Sequence, residues 1–355
     1  MQRFQPLSTT AQMAFAQLLD AAHGAELSRT VADLPGTFGR KDVNGRLYWY
    51  FQYNDVSAKK RQVFVGPPNE RVLALVGARK GGGSQQALRL LAQSAEAVGN
   101  APMLNRHFKV VRRLADYGFF RAGAVLVGPH AFLAFGNMLG VRWQDGQRTQ
   151  DGDFAHVGKA ITIALPADIV IDAHVAIESL QMGLLPIEHA DRGTGATYLD
   201  PRDPDFRIDF LTPPRRGGMT PHLPAPLGIR LQPLKFTEYL LQDVQPAAMF
   251  CGLGVAVANV PQPARYALHK LIVAGERPAS RIVKSNRDIQ QSAALLSLLK
   301  ERAELQVDEA WQDLLRRGPD WVSRARRGRD ALVKQAPKLD AQAWLKLPGK
   351  NSLTR

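Results

Sequence analysis

A short apolar run broken by a Gly-Pro pair is the feature that most constrains the fold of this chain. Residues Ala122–Val127 are apolar and have the length of a buried strand. Gly128 and Pro129 interrupt the run, and residues 129–139 follow with helical spacing. Proline is tolerated at the first helical position, where its missing N–H would have no partner. The segment therefore predicts a strand that passes at once into a helix.

The stretch RTQDGDFAH (Arg148–His156) holds two aspartates that have two readings. Asp-Gly between apolar runs is by itself a strong hairpin signal. If the strand predicted over 154–165 begins earlier, Asp151 and Asp153 project to the same side of it. Carboxylate oxygens in such a pair are the hard ligands that Mg²⁺ prefers. The turn and the metal site both remain open at this point.

A third acid lies in FRIDFLT, where Asp209 sits in the centre of an apolar strand. An unpaired charge in that position would be costly if it were buried. Asp209 is therefore a candidate third metal ligand, and the alternative is an exposed residue on an edge strand.

The order of predicted strands and helices favours an α+β fold with a mixed-sheet core. An N-terminal antiparallel β-hairpin module and a C-terminal helical basic region flank this core. We predict three parts: residues 1–80 with a helix and an aromatic, basic sheet, a core over 81–300, and a basic helical tail over 301–355. The tail includes a basic cluster, which is either a solvated helix face or a phosphate-binding surface: Arg324, Arg326, Arg327 and Arg329.

The N-terminal module contains Asn44-Gly45, a two-residue hairpin signal, between residues that favour strands. Aromatic and basic side chains alternate around it, and together they are suited to stack bases and to bind phosphates. The alternative is that half of these rings form the small core of the sheet. The predicted nucleic-acid contacts are Arg40, Lys41, Arg46, Trp49 and Tyr50.

Charge and cysteine content restrict the class of protein. The formal net charge is +14 and the pI about 10.1, which favours a polyanionic partner over a merely solvated surface. Cys251 is the only cysteine, so intrachain disulfides and cysteine-based zinc sites are excluded. Gly128-Pro129 interrupts the longest stretch poor in charge, so no membrane span is predicted. We expect a soluble, cytoplasmic protein with a sizeable core, since 45% of its residues are apolar.

Several motifs in one order resemble a known fold. Gly128 precedes a helix, Thr149-Gln150-Asp151-Gly152-Asp153 follows, and Ile208-Asp209-Phe210 supplies the third acid. A later helix carries Lys270 and Arg277, and an Arg287-Asp288 pair comes after it. Over Ala122–Leu299 the chain resembles the nucleotidyltransferase fold of the DNA polymerase beta superfamily. It is most similar to bacterial minimal and abortive-infection-type nucleotidyltransferases.

The resemblance implies a metal-dependent enzyme that transfers NMP from an NTP to an acceptor and releases pyrophosphate. It implies that Asp151, Asp153 and Asp209 are catalytic and hold Mg²⁺ or Mn²⁺. It further implies a nucleotide site formed by Gly128, His130, Thr149, Lys270, Arg277 and Asp288. RNA, with tRNA included, is the favoured acceptor and a protein hydroxyl the second. An antitoxin-like protein partner is also expected on this basis.

The motif departs from the family pattern at Pro129, where Ser, Thr or Gly is usual. Proline offers neither a hydroxyl nor a backbone N–H to a phosphate. His130 is a candidate substitute donor, although a histidine beside a helix start also suits a structural role. Lys270 has the alternative of an exposed lysine on a helix face. The rival hypothesis is a catalytically inert protein of this fold that binds nucleic acid.

Overall fold

The structure, a computed structural model, describes residues 3–28, 36–54, 60–80, 83–144, 160–164, 177–178, 180–188, 194–214 and 231–348. Its helices are α1 (Thr9–Leu27), α2 (Glu70–Lys80), α3 (Gly83–Ala97), α4 (Asn105–Asp116), α5 (Gly128–Met138), α6 (Thr237–Leu240), α7 (Pro263–Glu276), α8 (Ile282–Arg302), α9 (Glu304–Arg316), α10 (Pro319–Gln335) and α11 (Ala341–Trp344). Short 3₁₀ helices cover Ala279–Arg281 and Pro337–Leu339. In the part of the chain so described, no helix has both the length and the apolar character needed to cross a membrane.

The strands are β1 (Phe4–Pro6), β2 (Thr37–Val43), β3 (Arg46–Asn54), β4 (Lys60–Gly66), β5 (Val125–Val127), β6 (Val141–Trp143), β7 (Ala160–Ala164), β8 (Leu185–Glu188), β9 (Thr194–Asp200), β10 (Asp203–Thr212), β11 (Gln232–Pro233), β12 (Gln245–Cys251) and β13 (Gly254–Val260). Strand β1 pairs with β6, and β2, β3 and β4 form a separate antiparallel sheet.

The main sheet has the order β12-β13-β5-β7-β10-β9-β8, and β11 adds to β10. Strand β5 is parallel to β13 and antiparallel to β7, whereas β7 and β10 are parallel. The sheet is therefore mixed, and together with the helices it agrees with the predicted α+β class.

The predicted passage from strand to helix is present where β5 meets α5. The three residues of β5 are all buried. Gly128 follows with φ +66°, in the left-handed region that favours glycine, and Pro129 lies in the first turn of α5. The strand is shorter than the predicted 122–127, because residues 117–123 form a turn between α4 and β5.

Helices cover both faces of the sheet at the β12 edge. Alternate residues of this strand enter two cores: Met249 and Cys251 belong to the larger one, Ala248 and Phe250 to the smaller one. The larger core includes side chains from α7, α8, α9 and α10, and the smaller one includes side chains from α1 and α3.

Both ends of the described chain thus contribute to the main sheet's packing. The division predicted from the sequence groups α1 with the aromatic module, yet Phe15 and Leu18 of this helix pack in the smaller core. Helices α9 and α10, predicted as a basic tail, bury Trp311 and Leu332 in the larger core. The predicted division of the chain into three parts near residues 80 and 300 stays a prediction. The contacts show that α1, α9 and α10 pack in the two cores that flank the main sheet.

The three-stranded sheet of the N-terminal module contains the predicted hairpin. Asn44 and Gly45 connect β2 to β3 with φ +55° and +75°. Positive φ at both central residues is the requirement of the hairpin turn that Asn-Gly favours. The hairpin prediction is therefore confirmed.

Candidate active site

Asp209 lies on an interior strand of the main sheet, because β7 and β9 flank β10. Asp209 pairs with Thr162 of β7, and Thr162 pairs with Val127 of β5. These residues are level across three neighbouring strands, so Asp209 and Val127 are about 10 Å apart in the sheet. Since Gly128 follows Val127 directly, the sheet brings the third acid to the level of the strand-to-helix turn.

The carboxylate of Asp209 is held by two neighbouring side chains. The Thr197 hydroxyl donates to Oδ1 at 2.8 Å, and Arg207 Nε donates to Oδ2 at 3.1 Å. The Asp209 side chain is 19% exposed. The edge-strand alternative is therefore excluded, and the orientation of this carboxylate is fixed while one side stays open to solvent.

The carbonyl of Gly128 is held by helix α7. The Tyr266 hydroxyl donates a hydrogen bond to the Gly128 carbonyl oxygen at 2.8 Å, and its oxygen lies 3.2 Å from Gln291 Oε1. Burial raises the pKa of Tyr266 to about 12, so the hydroxyl remains a proton donor at neutral pH. The turn between β5 and α5 is thereby attached to α7.

Lys270, Arg277 and Asp288 form one ion-pair cluster on α7 and α8. Lys270 Nζ lies 2.5 Å from Asp288 Oδ1, and Arg277 pairs with Oδ2 of the same carboxylate. Lys270 Nζ also lies 5.3 Å from the centre of the Tyr266 ring. Burial alone would lower the pKa of Lys270, but Tyr266 and Asp288 raise it above its usual value. The lysine is therefore charged and largely buried, which excludes the exposed-lysine alternative.

His130 lies inside the protein with its side chain fully buried. Its Nε2 lies 2.9 Å from His107 Nδ1, and the His107 ring stacks on Phe206 with centroids 5.2 Å apart. Burial, with a further effect of His107, lowers the pKa of His130 to about 3. A neutral, enclosed ring favours the structural role of His130 over contact with a phosphate.

The remaining predicted ligands lie outside the described residues: Thr149, Asp151 and Asp153. Strand β7 is described from Ala160, downstream of this motif. In the described ranges, no group of three or more His, Cys, Asp or Glu side chains is placed to hold a metal ion. Of the predicted metal ligands, Asp209 alone can thus be located, and its oxygen donors are of the type that Mg²⁺ binds.

The predicted nucleic-acid residues divide between the two faces of the N-terminal sheet. Arg40 pairs with Trp49 across β2 and β3, and its guanidinium lies 5.7 Å from the Trp49 ring. Lys41 Nζ lies 5.2 Å from the Tyr50 ring on the opposite face. Arg46 is exposed.

The basic cluster of the C-terminal region has contacts to the rest of the fold. Arg324 Nε pairs with Glu276 at 2.5 Å, and Arg329 donates to the Leu345 carbonyl at 3.1 Å. Arg324 therefore links α10 to α7, and Arg329 links α10 to the residue that follows α11. At least these two arginines do not simply face solvent.

Sequence reasoning missed Tyr266 and Thr197, which position Gly128 and Asp209. Tyr266 precedes Lys270 by four residues on a helix, so the two share a face, and this spacing was the available signal. Thr197 becomes visible only through the pairing of β9 with β10.

Comparison with known proteins identifies the class. A family model described as "Nucleotidyltransferase" matches residues 105–316, which is more than half of the chain and spans α4 to α9. No curated protein and no solved structure matches at a significant level. The chain belongs to the nucleotidyltransferase family.

Proposed function

We propose that this protein is a metal-dependent nucleotidyltransferase that moves a nucleoside monophosphate from an NTP to an acceptor hydroxyl. The observation that supports it most is the register that places Asp209 level with Val127, one residue before Gly128. The family match spans both elements. The proposed reaction is an in-line displacement in which the acceptor oxygen bonds to the α-phosphorus while the bond to the β-phosphate oxygen breaks. Pyrophosphate leaves, and the acceptor proton is released.

In this proposal the protein's own groups orient the reactants. Asp209, held by Thr197 and Arg207, accepts the hydrogen bond of the attacking hydroxyl. Gly128 permits the triphosphate to approach the backbone at the start of α5. Lys270 and Arg277, oriented by Asp288, place positive charge where the phosphates bind.

Asp209, Asp151 and Asp153 are the residues that would hold Mg²⁺ or Mn²⁺. The geometry of Asp209 suits a ligand of a divalent cation, because each carboxylate oxygen accepts one protein hydrogen bond and retains a further lone pair. A bound divalent ion would neutralise phosphate charge and favour departure of pyrophosphate.

The motifs at Gly128, Asp151, Asp153 and Asp209 support placing the chain in the polymerase beta superfamily, near the bacterial minimal and abortive-infection types. We propose RNA, with tRNA as one candidate, as the acceptor, because the net charge of +14 favours a polyanion. A protein hydroxyl is the second candidate acceptor. A cytoplasmic location and an antitoxin-like partner belong to the same proposal.

The test is transfer of label from each α-labelled NTP, with Mg²⁺, to total RNA or to protein in a lysate. We expect labelling that Asp209→Asn reduces at least about a hundredfold, since it removes a transition-state charge contact. Asp20→Asn replaces an exposed carboxylate on α1 and serves as the control, with unchanged labelling.

The rival hypothesis, a catalytically inert nucleic-acid-binding protein, makes the opposite prediction. Pro129 supports it, because a phosphate can receive no hydrogen bond from that backbone position. Absence of transfer with every NTP would refute the enzyme and leave the inert binder. Transfer unaffected by combined Asp151→Ala and Asp153→Ala would refute the proposed site.

A further inference from the structure

One face of the N-terminal sheet gathers aromatic and basic side chains, and the residues that the structure describes on it include no acid. Cross-strand pairs place the following residues on this face: Thr37, Gly39, Lys41 and Val43 of β2, Arg46, Tyr48, Tyr50 and Gln52 of β3, and Lys60, Gln62 and Phe64 of β4. We call this set the aromatic face. The opposite face also holds aromatic and basic side chains, among them Trp49 and Arg40, but it includes the acid Asp42.

Three rings form a continuous patch at the centre of the aromatic face. The Phe64 ring lies 5.7 Å from that of Tyr48 and 5.6 Å from that of Tyr50, measured between centroids. Phe64 is 56% exposed, whereas Phe51 on the opposite face is 2% exposed. The core of the small sheet therefore forms around Phe51, and the three rings of the aromatic face are not needed for it.

Positive side chains surround this patch. Lys41 pairs across the strands with Tyr48 and lies over Tyr50, and Arg46 lies at the hairpin end of the same face. Lys60 begins β4 on the same face, and all three cations are exposed. Phe64 is exposed, and Tyr48 and Tyr50 are partly exposed. Accessible rings flanked by cations suit flat bases joined by phosphates, because rings stack on bases of any sequence while cations bind the backbone.

We propose that the aromatic face binds single-stranded nucleic acid, with bases stacked on Tyr48, Tyr50 and Phe64 and phosphates bound by Lys41, Arg46 and Lys60. Paired bases expose only their edges, so a duplex cannot stack on these rings. The inference rests on the proposed function only in assigning the bound strand as the acceptor. Binding itself needs neither NTP nor Mg²⁺.

The test is fluorescence anisotropy of the full chain with a labelled oligouridylate, the matching oligothymidylate and a duplex, without NTP or metal. We expect both single strands to bind more tightly than the duplex, and their ratio shows whether RNA or DNA is preferred. Tyr48→Ala combined with Phe64→Ala should weaken single-strand binding about a hundredfold, at about tenfold for each ring. Lys41→Gln combined with Arg46→Gln should lower the salt slope by about 1.4, at about 0.7 for each phosphate that is no longer neutralised.

The matched control is Leu47→Ala combined with Val63→Ala. These residues are the sequence neighbours of Tyr48 and Phe64, are 47% and 49% exposed, and lie on the opposite face. The control should retain wild-type affinity, and so should Tyr50→Phe, which keeps its ring. If the double ring variant unfolds at a lower temperature than the wild type, the single variant Phe64→Ala is used instead. Its affinity for the single strand should fall about tenfold.

Equal losses of oligonucleotide affinity in the ring variant and the control would overturn the inference. So would binding that does not depend on the rings, or tighter binding of the duplex than of the single strands. Absence of oligonucleotide binding by the wild type would also overturn it and leave the face to a protein partner. Asp209→Asn separates the two proposals: we expect it to reduce transfer at least about a hundredfold and to leave the dependence of oligonucleotide binding on the three rings unchanged. Loss of transfer alone therefore does not count against the aromatic face.

Discussion

The Tyr266 hydroxyl donates a hydrogen bond to the Gly128 carbonyl oxygen 138 residues earlier in the chain. The same tyrosine ring lies beneath the ammonium group of Lys270, which pairs with Asp288. Tyr266 thus joins the turn before α5 to the cationic cluster of α7 and α8. Two groups of predicted nucleotide-binding residues are thereby held by one buried side chain.

Replacement of Tyr266 by Phe tests this link. The change leaves the Gly128 carbonyl without its donor, which should lower the free energy of unfolding by about 1 kcal/mol. If the turn binds the triphosphate, kcat/KM for the NTP should also fall about fivefold. Urea unfolding measures the first quantity and label-transfer kinetics the second.

Tyr239→Phe is the matched control for Tyr266→Phe. Tyr239 is also buried, and its hydroxyl donates to the Ala310 carbonyl oxygen at the same distance of 2.8 Å. We expect a similar loss of stability and unchanged kcat/KM. Equal kinetic losses in both variants would contradict a specific role for Tyr266 at the nucleotide site.

Asp288→Asn should be strongly destabilising. The Lys270 and Arg277 side chains are 16% and 23% exposed, and both pair with this carboxylate. Its neutralisation leaves two largely buried cations without compensation, for an expected loss of about 3 kcal/mol in the free energy of unfolding.

Adding Lys270→Met to Asp288→Asn should restore part of the stability, because one uncompensated cation is removed. Asp330→Asn is the control, because Asp330 pairs with Arg329 but is 56% exposed. It should lower the free energy of unfolding by less than about 1 kcal/mol. Equal losses from Asp288→Asn and Asp330→Asn in urea unfolding would refute the buried-cluster interpretation.

Local features of this fold could be predicted from the sequence because they depend on neighbouring residues. Gly128 with Pro129 ended one strand and began a helix, and Asn44-Gly45 specified a hairpin. Whether Asp209 lay on an edge or an interior strand depended on strand order, which local patterns do not encode. The Tyr266–Gly128 bond likewise depends on residues far apart in the chain, so spacing within α7 could at most indicate that Tyr266 and Lys270 share a face.

The attachment of helix α10 is another long-range feature, and it depends on two glycines. A Cβ on Gly328 would lie 2.1 Å from the Leu271 carbonyl oxygen, and one on Gly275 would lie 2.3 Å from the Arg324 carbonyl oxygen. Helices α7 and α10 therefore contact through their backbones. A single glycine within a basic segment of the sequence does not by itself indicate this contact.

Gly328→Ala should therefore separate the two helices and lower the free energy of unfolding by about 3 kcal/mol, despite the better helix propensity of alanine. Gly77→Ala on α2 is the control, because no atom of the described residues lies within 4 Å of the position that its methyl group would take. We expect it to be stabilising by about 0.5 kcal/mol. A Gly328→Ala variant as stable as Gly77→Ala in urea would disprove the close contact.

Buried histidines should make the fold sensitive to mild acid. Burial lowers the pKa of both His130 and His269 to about 3, with smaller effects from His107 and Lys270 respectively. Below the ordinary histidine pKa of about 6.5, the unfolded chain binds protons that the folded protein excludes. Stability is therefore complete above about pH 6.5 and falls as the pH is lowered, by up to about 1.4 kcal/mol per pH unit for each histidine.

Urea unfolding between about pH 6.5 and pH 5.5 isolates the effect of the histidines, because the lowered pKa values of Glu276 and Asp313 affect stability only near and below the ordinary carboxylate values of 4.5 and 3.8. His107, whose pKa burial lowers to about 4, contributes to the same slope. His130→Gln and His269→Gln should each reduce the slope of stability against pH by up to about 1.4 kcal/mol per unit. The double variant should show the sum of the two reductions, since each ring excludes its own proton. A slope unchanged in the double variant would mean that other groups cause the acid sensitivity.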